Sequence, residues 1–112
     1  MLTVIVIFYS IVVLMGLFLF INLFTSKKID MLVGIVHGSL GLIGIAMLIF
    51  YISFISGDSP YLTILLFVTA LFFGGGMLAA KLSGKRFPVW IALIHALIAA
   101  AGFSLLVQFW IG

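Results

Sequence analysis

Two histidines, His37 and His95, are the only imidazoles in a chain of 112 residues. Each lies in a run of small and apolar residues. The first is Gly34-Ile35-Val36-His37-Gly38-Ser39-Leu40-Gly41-Leu42-Ile43-Gly44. The second is Ala92-Leu93-Ile94-His95-Ala96-Leu97-Ile98-Ala99-Ala100-Ala101-Gly102. An imidazole can hydrogen-bond, carry a proton or ligate a metal. A titratable side chain set in hydrocarbon is costly and points to a functional role. The bland reading of one such histidine is a hydrogen bond to a carbonyl on a neighbouring helix. Two histidines at matching positions point instead to shared work, and the work that suits a facing imidazole pair is holding a metal between them.

The setting is set by composition. The chain is 67% hydrophobic and 6% charged, with mean hydropathy +1.59. A soluble domain could not cover its surface with so few polar groups. A spanning helix needs about 20 apolar residues, and four such runs are visible, at about 2–24, 31–55, 61–82 and 88–111. The expected fold is all-α: one integral membrane domain, 1–112, forming a four-helix up-down bundle in the lipid bilayer. The first run lacks the basic start and small-residue cleavage site of a signal peptide and reads as a helix.

The basic residues lie beside two connections: Lys27 and Lys28 after the first run, Lys81, Lys85 and Arg86 around the end of the third. The other connection carries Asp58. Positive loops stay inside, so the expected location is a bacterial inner membrane, with basic loops cytoplasmic and both termini outside. Topology accounts for these cations, and a nucleic-acid role is not supported. Cysteine is absent, which removes disulfides, thiolate zinc sites, iron–sulfur clusters and covalent haem attachment.

Turn chemistry marks the connections. Asp30 suits the start of the second helix. Ser59 reads as an N-cap with Pro60 at the first helical position, and Pro88 opens the last helix. Trp90 and Trp110 suit the two interfaces. Tyr9, Tyr51 and Gln108 are polar enough to notice; interfacial anchoring or local hydrogen bonding is the default for each.

A shift of 58 residues superposes the unusual positions. Gly16 falls on Gly74, Lys27 on Lys85, Lys28 on Arg86, His37 on His95 and Gly44 on Gly102, while Gly34 and Gly41 fall on Ala92 and Ala99. The expectation is two helix–turn–helix repeats, about 1–56 and 59–112, related by a two-fold axis along the membrane normal. Each histidine is nine residues beyond the second basic residue of its loop, roughly 13 Å of helix. Both imidazoles then share one level, and Gly16 and Gly74 reach it from the other direction. Gly34, Gly41 and Gly44 share a helix face with His37, and Ala92, Ala99 and Gly102 with His95. Small stripes usually serve close packing; beside paired imidazoles they could also give a flat macrocycle clearance.

In an up-down bundle the second and fourth helices are diagonal partners. Neighbouring axes about 8–10 Å apart give a diagonal of roughly 13 Å. That is too far for direct imidazole contact and suits imidazole–iron–imidazole. The expected cofactor is non-covalent haem b, with His37 and His95 as metal ligands and Lys27, Lys28, Lys85 and Arg86 on the side nearer the propionates. Bis-histidine ligation leaves no open position and favours electron transfer. Two imidazoles supply half of a closed zinc set, and no serine or carboxylate shares their level for hydrolysis.

At these residues the chain resembles a transmembrane b-type cytochrome of the cytochrome b561 or respiratory cytochrome b kind. The resemblance implies a four-helix core with haem between His37 and His95. It also implies that Gly16 and Gly74 clear space for the ring. Those families commonly carry a second ligand pair about four turns along the same helices; here Tyr51 and Phe109 stand near those places. One haem per protomer follows, and with it exchange with a quinone, a redox partner or a second protomer of a homodimer. Two rivals stand beside this reading. A small dimeric multidrug-type transporter would need a carboxylate in the first helix, which has none. A structural or assembly subunit would use the glycines for packing.

Overall fold

The computed structural model describes residues 1–25, 31–55, 60–86 and 88–112. They form four helices: α1 (Leu2–Thr25), α2 (Met31–Phe54), α3 (Tyr61–Leu82) and α4 (Val89–Ile111). All four are long and apolar enough to cross a membrane. Their hydroxyls are turned back onto the helix: Ser10 Oγ donates to the Val6 carbonyl, Thr25 Oγ1 to Ile21 and Thr69 Oγ1 to Leu65. These three hydroxyls make no hydrogen-bond demand on lipid. Phe54 and Phe72 are 76% and 78% exposed, an arrangement suited to hydrocarbon rather than water.

The helices close into a ring. α1 packs on α2, α2 on α3, α3 on α4 and α4 on α1, leaving α1/α3 and α2/α4 as diagonals. Trp110 Nε1 donates to Thr3 Oγ1 at 3.0 Å, tying the end of α4 to the start of α1. The helix bounds follow the hydrophobic runs closely. Two details differ: Pro60 and Pro88 each stand one residue before the first helical residue, at the N-cap. A proline has no N–H to leave unsatisfied in either place. Ser59 and Asp30, expected as caps, lie outside the described residues, as do Lys27 and Lys28.

α3 ends in a Schellman closure. The Gly84 N–H donates to the Lys81 carbonyl at 3.1 Å and the Lys85 N–H to Ala80 at 2.8 Å. Gly84 has φ +72°, a conformation that a Cβ disfavours. The turn delivers Lys85 and Arg86 to the outer surface at that end of the bundle.

The core is confined to one half. Ile5, Val6, Tyr9 and Val12 are buried on α1, Gly44, Ile45 and Leu48 on α2, Thr63, Phe67 and Ala70 on α3, Gly102 and Leu106 on α4. All lie between the histidines and the end of the bundle that carries the chain termini. Between the histidines and the basic connections, Ala92 is the one buried residue among those described. Several buried positions are 58 apart: Tyr9 and Phe67, Val12 and Ala70, Gly44 and Gly102, Leu48 and Leu106.

Replacing Gly84 by Ala should lower stability by about 1 kcal/mol, the cost of a Cβ at positive φ. Thermal unfolding in detergent should show a melting point several degrees lower, and an unchanged one would contradict this closure.

Candidate functional site: a paired-histidine layer

α1 and α2 run antiparallel, so Gly16 meets His37 and, two turns away, Tyr9 meets Gly44. α3 and α4 repeat the register: Gly74 meets His95, and Phe67 meets Gly102. Each histidine reaches from an even-numbered helix onto an odd-numbered one. A Cβ added at Gly16 would stand 2.9 Å from His37 Cε1, and one at Gly74 would stand 3.0 Å from His95 Cε1. Both glycines are therefore sockets for imidazole edges.

This differs from the expected role of Gly16 and Gly74 as clearance for a macrocycle. The room they make is filled by the histidines themselves. Gly44 and Gly102 are likewise filled, by Tyr9 and by Phe67 with Leu66. Of the expected small-residue stripe, Gly34 and Gly41 have nothing within 4 Å of a built Cβ. They border open space on the His37 helix.

The imidazoles meet across the bundle axis. Their ring centres are 6.2 Å apart and their planes are at 82°. α2 and α4 are the expected diagonal partners, and both side chains extend inward along their glycine sockets to reach this separation. Their backbone surroundings also correspond. His95 Nδ1 is 2.8 Å from the Ala70 carbonyl. With Nδ1 protonated it donates, which leaves Nε2 as the free lone pair. His37 is turned toward the backbone of Val12, 58 residues before Ala70. Its buried Nδ1 makes no hydrogen bond of good geometry among the described residues.

Two turns from the histidines, about 10 Å of helix, the axis is closed by aromatic rings. Tyr9 and Phe67 stack with centres 4.2 Å apart and planes 6° apart. The Tyr9 hydroxyl is buried without a hydrogen-bond partner among the described residues. This stack was not foreseen from sequence, although the same shift of 58 aligns Tyr9 with Phe67 and could have found it. The cations split. Lys85 and Arg86 are exposed at the end beyond α3, while Lys28 lies outside the described residues.

No family model, curated protein or solved structure matches the chain. Fold and site alone define its class: a four-helix bundle of membrane-spanning character with an imidazole pair on its axis.

Gly44→Ala should be costly, because a Cβ would lie 2.7 Å from Tyr9 Cζ and the ring is pinned by Phe67. Overpacking of this kind costs about 1–3 kcal/mol. Gly34→Ala meets open space and should be neutral or slightly stabilising. Equal melting points for the two variants would contradict the packing described.

Proposed function

We propose that this protein is a membrane-embedded b-type cytochrome that holds one haem per protomer between His37 and His95 and passes single electrons. The observation that carries this reading is the 6.2 Å separation of the two ring centres on diagonal helices. A metal between two imidazole nitrogens, with bonds of about 2 Å each, places the ring centres roughly 6 Å apart. Two imidazoles fill two positions only, so the donor set suits a metal that arrives with its other positions occupied, as in a porphyrin. The Nδ1 contact of His95 is the kind of outer hydrogen bond that fixes a ligating imidazole.

Room for the ring is favoured on the basic side of the histidines. There the bundle has little packed core and Gly34 borders open space, as does Gly41 one turn to the other side of His37. Lys85 and Arg86 stand at that end and could pair with propionates; Lys28 is proposed for the same task. When bound, haem supplies one-electron redox chemistry. The chain's own residues would fix its position, exclude water through the Tyr9–Phe67 stack, and leave no axial position open. Exchange with a quinone, a partner protein or the second protomer of a homodimer belongs to this proposal, as do an origin by duplication of one hairpin and a bacterial inner membrane with the basic loops cytoplasmic.

Two observations favour a second reading. The His95 hydrogen bond and the two glycine sockets would also serve a structural subunit, with imidazoles as polar links between helices. The readings separate by spectrum. Under the cytochrome proposal, His37→Ala and His95→Ala each lose most of the bound haem, seen as loss of the Soret band per milligram of folded protein. Wild-type spectra in either variant would contradict a shared haem.

A further inference from the structure

The interior matches between α1/α2 and α3/α4 do not extend to the outer surface. Gly75 and Gly76 on α3 have nothing within 4 Å of a built Cβ. The residues 58 positions earlier are Leu17 and Phe18. Where the first hairpin carries bulk, the second has a hollow.

That hollow is a cavity of about 400 Å³ along the α3/α4 seam. Phe72, Gly76, Met77 and Ala80 line it from α3 and Ile91 from α4, and Arg86 is its one charged residue. From Phe72 to Ala80 it runs about 12 Å along the helix. Apolar length ending in a guanidinium is the shape of an amphiphile site. A basic pocket between spanning helices selects lipids by headgroup charge, and a guanidinium fits phosphate in a bidentate way.

We infer that the α3/α4 seam is a binding site for an anionic phospholipid, with its phosphate on Arg86 and an acyl chain laid over Gly76. The site does not involve the histidine pair or rest on haem, and it assigns Arg86 to the lipid, which leaves the propionates of the proposed haem to Lys85 and Lys28. Charge complementarity selects the occupant: a zwitterionic lipid brings its own cation to the same place and gains less from Arg86.

Trp90 adjoins the seam, between Pro88 and Ile91, and is exposed. With Trp110 replaced by Phe it becomes the sole tryptophan. Vesicles containing acyl-brominated phosphatidylglycerol or acyl-brominated phosphatidylcholine then report which lipid sits beside it. The anionic lipid should quench Trp90 at about fivefold lower mole fraction, the worth of one cation near a headgroup. Arg86→Gln should erase that difference. Gly76→Leu, which fills the hollow with the bulk the first hairpin carries, should reduce quenching by the anionic lipid. Lys85→Gln, a cation outside the cavity, should leave the selectivity in place. Equal quenching by the two lipids in the parent protein would overturn the site, as would selectivity that survives Arg86→Gln. Selectivity lost equally in Lys85→Gln and Arg86→Gln would overturn it in favour of diffuse surface attraction.

Discussion

A polar atom in hydrocarbon must find a partner within the protein, and an imidazole left without one costs several kcal/mol. His95 meets this constraint by crossing onto the neighbouring helix, where a glycine lets the ring lie against the backbone; His37 crosses onto Gly16 in the same way, with its Nδ1 unpaired among the described residues. For His95 the partner is the Ala70 carbonyl. The consequence reaches through the bundle. The sockets require α1 against α2 and α3 against α4 at close range, which fixes the antiparallel register of each pair. That register in turn brings Tyr9 onto Gly44 and Phe67 onto Gly102.

The two halves of the bundle then have different tasks. Towards the termini, the Tyr9–Phe67 stack and the layer of Leu48 and Leu106, both fully buried, form a continuous core. An aromatic pair of this kind adds about 0.5–1.5 kcal/mol beyond its area. Since lipid is as apolar as leucine, such shape matching must hold the helices together. Towards the basic loops, packing is sparse and glycines border open space. One rigid half can thus hold two imidazoles in place while the other half keeps room beside them.

Much of this was legible in the sequence. Hydropathy and turn residues place the four helices almost to the residue, because a bilayer leaves few alternatives to an apolar helix. The spacing of 58 between the histidines and between Gly16 and Gly74 puts all four in one layer. The purpose of the glycines was not legible. A glycine opposite a histidine can clear space for the imidazole or for something larger, and residue type alone does not distinguish them. The Tyr9–Phe67 stack was hidden for another reason: aromatic residues are common in so apolar a chain, so their matching positions carried little signal. The hollow at Gly76 was hidden as well, since matching the hairpins draws attention to positions that agree rather than to those that differ.

The central claim is that the two imidazoles hold one iron between them. It is tested most directly by the absorption spectrum of wild-type protein purified from haem-replete cells, recorded oxidised, dithionite-reduced, and reduced under carbon monoxide. The account predicts a Soret band that sharpens and shifts on reduction and does not respond to carbon monoxide, because both axial positions are taken. A colourless protein, or a reduced spectrum that changes with carbon monoxide, would contradict it.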